Sequence, residues 1–144
     1  MKSLSIILVD DDRIERLKFK KVCQKFHSST NIVEAIDGED ALEHLNSSAV
    51  FDLIISDLNM PRMNGFEFLT ALRSSPKFFA IPVVIMSSSS FKNDIQRCFA
   101  MGISNYLTKP LKYADYTITV TSLLNDWHKI KIQVSKPFKS TNFN

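Results

Sequence analysis

Short apolar runs alternate with helical patterns five times along the chain, and this alternation constrains the fold more than any other feature. Ser5 to Val9 is a continuous apolar run. Arg13 to Phe26 then sets Phe19, Val22, Cys23 and Phe26 at i, i+3, i+4 and i+7, the spacing of one helix face. Asn31 to Ile36 reads as a second strand, and Gly38 precedes a helix over Glu39 to Leu45 with Ala41, Leu42 and Leu45 inward. Asp52 to Ser56 is a third strand, followed by a helix marked by Phe66, Leu69 and Leu72 and ended by Ser74-Ser75-Pro76. Pro82 opens a fourth strand, Val83 to Met86. Ile95, Cys98 and Phe99 mark a fourth helix, closed by Met101-Gly102 as a C-cap. Asn105 to Thr108 is a fifth strand, and the last helix runs from about Tyr113 to Ile130 with Tyr116, Val120, Leu123, Leu124 and Trp127 along one stripe. Runs such as Leu53-Ile54-Ile55 are too short for helices and too apolar for a half-exposed sheet, so they belong to a parallel sheet covered on both faces. Right-handed crossovers in such an α/β fold bring the C-terminal ends of all strands to one edge.

The remaining composition narrows the function classes. The 144 residues suffice for one domain with a sizeable core. Lys and Arg number 18 against 15 Asp and Glu, a net charge of +3, which is too dilute for a nucleic-acid-binding face. No apolar run approaches the roughly 18 residues of a membrane span. The start, MKSLSIILVDDD, has too short an apolar stretch for a signal peptide, so the expected location is cytoplasmic. Cys23 and Cys98 fall inside helical patterns and are expected to be buried small hydrophobes rather than a disulfide or metal pair. His27, His44 and His128 are expected at the surface. Residues 1–130 form the expected domain. Residues 131–144 are polar, aperiodic and contain Pro137, the pattern of a C-terminal tail that is disordered or docks, with no separate output domain.

Polar groups converge on the sheet edge that the topology defines. Asp10 and Asp11 follow the first strand, Asp57 follows the third, Ser87 the fourth and Lys109 the fifth. Open α/β sheets bind ligands at this edge. Clustered carboxylates repel one another unless a cation sits among them. Magnesium fits, because it takes one or two carboxylates together with water and phosphate oxygens. No His or Cys lies at these strand ends, which argues against zinc. Lys109 offers a mobile positive charge and Ser87 a hydroxyl donor, and phosphoryl transfer asks for little beyond such positioning and charge neutralisation. Asp12 is a candidate helix N-cap rather than a ligand.

These residues resemble the response-regulator receiver domains of two-component signalling. The matching motifs are Val9-Asp10-Asp11, Asp57 within DLNMPRMNG, PVVIMS ending at Ser87, and Tyr106-Leu107-Thr108-Lys109-Pro110, in order over roughly residues 4 to 130. The resemblance implies a flavodoxin-like, doubly wound five-stranded parallel sheet, (βα)5, with strand order 2-1-3-4-5. It implies that Asp57 accepts a phosphoryl group from a histidine kinase or histidine phosphotransfer protein. It implies that Asp11, Asp57 and the backbone carbonyl of Asn59 ligate Mg²⁺, with Asp10 acting largely through a water. Lys109 would pair with the phosphoryl oxygens, Ser87 would turn toward them, and Tyr106 would move inward as a switch. Asn59 and Ser89 match positions that tune hydrolysis of the acyl phosphate, and the Lys109-Pro110 bond is expected to be cis. The long last helix also resembles that of single-domain regulators partnering phytochrome-type kinases.

Signal output is expected through a face made by the fourth helix, fifth strand and fifth helix, toward a downstream protein target or a second copy of the chain. The alternative is an enzyme of the aspartyl-phosphate type. Such enzymes place a general acid two residues after the nucleophile, where this chain has Asn59, so the chain is not expected to be an enzyme. A degenerate scaffold is disfavoured by the complete set Asp10, Asp11, Asp57, Ser87 and Lys109.

Overall fold

The structure is a computed structural model and describes residues 3–135. Five strands, β1 (Ser5–Val9), β2 (Asn31–Ala35), β3 (Leu53–Ser56), β4 (Val83–Ser87) and β5 (Asn105–Thr108), form one parallel sheet in the order β2-β1-β3-β4-β5. The helices are α1 (Arg13–Phe26), α2 (Gly38–Leu45), α3 (Gly65–Arg73), α4 (Lys92–Ala100) and α5 (Tyr113–Ser135). The expected sheet and its strand order are therefore present.

Side chains of successive strand residues point to opposite faces, and two separate cores follow from that alternation. Ile7, Val9, Ile54, Val83 and Ile85 pack with Ala41, Leu45, Phe68, Leu69, Leu72 and Cys98 from α2, α3 and α4. Ile6, Leu8, Leu53, Ile55, Val84 and Met86 pack with Phe19, Val22 and Cys23 of α1 and with Tyr116, Val120, Leu123 and Leu124 of α5. The central strands β3 and β4 are buried along their whole length, whereas the edge strand β5 is half-exposed.

The helix starts carry the chemistry their sequences promise. Asp12 caps α1 by accepting from the Ile14 N–H at 2.9 Å. Asn64 and Glu67 form a reciprocal capping box on α3. Gly102 adopts φ +85° where α4 ends, a conformation glycine takes without a Cβ penalty. Helix α4 departs from this pattern. Its N-cap is Phe91, which makes no side-chain cap bond, and Cys98 is its one buried residue.

Three expectations are corrected. Phe26 is 45% exposed, because α1 ends there and the chain turns off the sheet. Helix α5 continues past Ile130 to Ser135, and Lys131 Nζ reaches Asp52 Oδ1 at 2.7 Å, so the helix extends into the range read as a tail. Residues 136–144 lie outside the described residues. Finally, no peptide bond among the described residues is cis, so Lys109-Pro110 is trans, the isomer favoured by about 0.5–1 kcal/mol for X-Pro.

Cys23 and Cys98 are free and buried as expected, and burial pushes the Cys23 thiol up to about 12 and that of Cys98, with Asp94 nearby, to about 11. Among the described residues no helix is long and apolar enough to cross a membrane.

His27 and His128 are more engaged than surface residues. Their rings stack at 4.5 Å across α1 and α5, with His27 against Asn125 at 2.6 Å and His128 against Thr30 at 2.9 Å. Partial burial and then the neighbouring His27 lower the His128 pKa. A histidine with a depressed folded pKa favours the folded state above its unfolded value near 6.5, and that advantage falls away as pH drops toward the folded value. Thermal melts between pH 8 and pH 5.5 should therefore show a loss of stability that is smaller in His128→Gln.

Candidate functional site

The C-terminal edge of the sheet assembles the site. The register Val9↔Ser56 sets Asp10 beside Asp57 at the ends of β1 and β3. Ser87↔Thr108 sets Lys109 just past the end of β4, its N–H donating to the Ser87 carbonyl at 2.8 Å. Lys109 Nζ donates to Asp10 Oδ2 at 2.7 Å and to Asp57 Oδ2 at 3.1 Å. The ammonium thus bridges carboxylates that lie 99 and 52 residues away in the chain.

Each carboxylate is fixed from its other side. Asp10 Oδ1 accepts from the Asp12 N–H at 2.9 Å, and Asp57 Oδ1 accepts from the Leu58 N–H at 2.7 Å. Burial raises the Asp10 pKa, outweighing the lowering by Lys109. Burial also acts to lower the Lys109 pKa, but Asp10 and Asp57 outweigh it and the net shift is upward. The two shifts have different causes: burial disfavours the charged carboxylate of Asp10, whereas the carboxylates of Asp10 and Asp57 hold the proton on Lys109.

Asp10, Asp11 and Asp57 each offer a carboxylate oxygen, and these oxygens lie within 4.8 Å of one another. An all-oxygen donor set with surplus negative charge fits a hard divalent cation. Asp10 is buried, Asp57 half-buried and Asp11 exposed, an opening on one side that leaves room for water and an incoming anion. Asn59 is exposed in the loop after Asp57.

Ser87 is fully buried, and its Oγ accepts from the Ser89 N–H at 3.2 Å. Tyr106 is half-buried, and its hydroxyl donates to the Ser89 carbonyl at 2.7 Å, so it grips the loop after β4. Burial raises its pKa, against lowering by Ser87 and Ser89. The Ser89 hydroxyl donates to Asp94 Oδ2 at 3.1 Å, tying that loop to the first turn of α4.

The loop from Asp57 to Asn64 is clamped by two groups that sequence reasoning missed. Asp37 is fully buried, caps α2 through the Asp40 N–H at 2.9 Å, and accepts from Arg62 Nε at 2.6 Å and also pairs with Arg62 Nη2. Burial alone would raise the Asp37 carboxyl, but the bonds from Asp40 and Arg62 outweigh it and leave the pKa below the ordinary value. Arg62 holds φ +61° to make this reach. Neither partner announces itself, since the pair spans 25 residues and both look like surface charges.

Gly65 carries the other close approach. A Cβ there would lie 2.6 Å from the Asp57 carbonyl oxygen and 2.7 Å from Leu58 Cα, both backbone atoms that cannot step aside. Gly65→Ala is expected to lower stability by about 1–3 kcal/mol and to displace Asp57, measured by urea denaturation and by a shift of the Leu58 amide resonance, whose N–H bonds the Asp57 carboxylate.

Glu15 is a further missed residue. It projects from the first turn of α1, its Oε2 3.9 Å from Lys109 Nζ, and it lines a cavity of about 10 Å³ with Asp10, Asp57, Lys109 and Tyr116.

Comparison with known proteins accounts for this arrangement. The sequence model described as "Response regulator receiver domain" matches residues 6–121. The two-component response regulator ORR13 of Oryza sativa subsp. japonica is 32% identical over 115 residues, covering 80% of this chain and 93% of that protein. ORR11 of Oryza sativa subsp. indica is 38% identical over 111 residues, covering 76% and 74%. Among solved structures, the phosphorylated cyanobacterial phytochrome response regulator RcpA superposes with TM-score 0.82 at 26% identity, covering 88% of this chain and 94% of that one. The Mn²⁺-bound form of response regulator Rcp1 gives 0.80 at 25%, covering 86% and 94%. The chemotaxis response regulator CheY4 of Vibrio cholerae gives 0.74 at 28%, covering 88% and 99%. The match runs through all five strands and not through one motif alone, and the chain belongs to the response-regulator receiver family of two-component signalling.

Proposed function

We propose that the chain is a response-regulator receiver that accepts a phosphoryl group on Asp57 from a phosphohistidine of a histidine kinase or phosphotransfer protein. The observation that carries this reading is the Lys109 ammonium held between Asp10 and Asp57 at one sheet edge. An Asp57 carboxylate oxygen attacks phosphorus, the P–N bond to the partner's imidazole breaks, and the electron pair leaves with the imidazole. Asp57 becomes an acyl phosphate. Lys109 neutralises charge on the transferring oxygens, a role in which fixed charge outweighs any covalent chemistry.

Asp10, Asp11, Asp57 and the Asn59 carbonyl would hold Mg²⁺. When bound, the ion supplies neutralisation of the carboxylates and of the phosphoryl oxygens. Ser87 and Tyr106 form the switch, since both hydroxyls act on the Ser89 backbone that leads into α4. Helix α4 suits a responsive element, because it lacks a side-chain cap and buries one residue.

The readout face is α4, β5 and α5. Phe91, Phe99, Leu111, Tyr113 and Ile118 are exposed on or beside these elements, a concentration of apolar and aromatic surface suited to a protein partner. That partner is a downstream protein or, through a symmetric homodimer, a second copy. Sedimentation velocity with and without phosphorylation tests the homodimer, and an unchanged monomer in both states would remove it. Neither nucleic-acid nor membrane binding nor catalytic turnover of outside substrates forms part of this reading, and its setting is the cytoplasm.

The test of the main reading is incubation with a small phosphodonor and Mg²⁺, followed by intact mass and peptide mapping. One stable phosphoryl group mapped to Asp57 supports it. Steady release of phosphate without an adduct would support the aspartyl-phosphate enzyme instead.

A further inference from the structure

Lys109 sits where a divalent cation must act. Its ammonium bonds Oδ2 of both Asp10 and Asp57, two members of the carboxylate group that fits such a cation. Two cations sharing those oxygens repel, and at these separations the repulsion amounts to several kcal/mol in a partly buried site. Metal entry therefore requires the ammonium to give up at least part of its hold. The Lys109 side chain is only 13% exposed, so retreat into bulk water would uncover a long, packed stem.

Glu15 provides a nearer destination. Its Oε2 is buried without a hydrogen-bond partner and lies in long ionic contact with Lys109 Nζ at 3.9 Å, beyond hydrogen-bond length. A buried carboxylate oxygen without a hydrogen bond is costly, so a state that brings it a donor is favoured by that amount. The other oxygen, Oε1, accepts from Lys18 Nζ at 3.2 Å, and that ammonium lies 4.4 Å from the centre of the Tyr116 ring. Glu15 is thus hydrogen-bonded on one side and, on the side that faces Lys109, held only by a long ionic contact.

We propose that Glu15 is a positioning residue that receives the Lys109 ammonium when a divalent cation enters, so that cation binding and release of Lys109 from Asp10 are coupled through Glu15. The inference rests on the reading of Asp10, Asp11 and Asp57 as a cation site. It adds a step to that reading. Lys109 waits on Glu15, inside the pocket, until phosphoryl oxygens arrive.

The experiment is a double-mutant cycle read by cation affinity. The full chain, Glu15→Gln, Lys109→Met and the double variant are titrated with Mg²⁺ while the Asp12 and Leu58 amide resonances are followed, since these N–H groups bond the Asp10 and Asp57 carboxylates. Glu15→Gln should weaken Mg²⁺ affinity about tenfold, or about 1.4 kcal/mol, in the Lys109 background. In the Lys109→Met background the same change should move affinity less than about twofold, because no ammonium needs a destination. Equal losses in both backgrounds would mean that Glu15 only adds negative potential, and this would overturn the inference while leaving the cation site intact. No loss in the Lys109 background would overturn it as well. Absence of any Mg²⁺ response in the unsubstituted chain would remove the cation site itself, and the inference with it.

A second measurement reports on Lys109 directly. Amine acylation read by mass spectrometry should find Lys109 shielded with and without Mg²⁺ in the unsubstituted chain, but exposed by Mg²⁺ in Glu15→Gln. A Lys109 reactivity that ignores Mg²⁺ in that variant overturns the coupling.

Discussion

Asp57→Asn should abolish phosphoryl incorporation from a small phosphodonor, lowering the adduct at least about 100-fold, because an amide oxygen is no substitute for a nucleophilic carboxylate. Intact mass after incubation with Mg²⁺ reads the result. The substitution is nearly isosteric, so the fold should persist. The side-chain oxygen retained by Asn still accepts from the Leu58 N–H, the bond that Asp57 Oδ1 now makes at 2.7 Å. Lys109 keeps Asp10 as a partner at 2.7 Å, so the ammonium is not stranded. Removing one of three mutually repelling carboxylates also relieves repulsion, so the thermal midpoint of the variant should not fall. An adduct that survives Asp57→Asn and maps elsewhere, to Asp10 or Asp11, would move the acceptor and with it the assignment of every role at this edge.

Lys109→Met has the second large effect, with two losses and one gain. Phosphorylation should slow on the order of 10²–10³-fold, the usual cost of removing one fixed charge or donor from developing oxyanions. The resting protein should also lose about 3 kcal/mol of stability, the scale seen when one member of a buried ion pair is removed and the other is left. Asp10 and Asp57 would then face each other with side chains only 7% and 12% exposed and no cation between them. Mg²⁺ should bind more tightly than in the unsubstituted chain, because it no longer displaces an ammonium, and should restore part of the lost stability by mass action. Chemical denaturation with and without Mg²⁺ separates these effects. A variant that loses stability equally under both conditions would indicate that Lys109 serves packing more than charge.

How much of this was legible before folding depends on how each signal is encoded. The sheet order and the edge that carries Asp10, Asp57, Ser87 and Lys109 follow from local patterns, since each strand is a short apolar run and each functional residue sits at its end. The caps at Asp12 and Asn64 are equally local, as both bond within three residues of themselves. The Asp37 cap is just as local, three residues from Asp40, but the pairing of Asp37 with Arg62 gave no such signal. Each looks like a solvated charge, and burial of Asp37 appears only when the loop after β3 lies over the start of α2. Glu15 likewise reads as an ordinary helix-surface acid pairing with Lys18 three residues on.

The sequence by itself determined the alternation of strands and helices, the two apolar faces of the sheet and the strand ends where polar groups gather, because these depend on periodicity and on residues close together in the chain. Only the tertiary structure decided that α5 runs on to Ser135, with Lys131 bonded to Asp52, that Lys109-Pro110 is trans, that Phe26 turns outward and that Glu15 sets an oxygen without a hydrogen bond beside Lys109. Apart from the peptide isomer, a difference of about 1 kcal/mol, and Phe26, which turns outward where α1 ends, these features arise from contacts between segments remote in sequence. No local pattern encodes them.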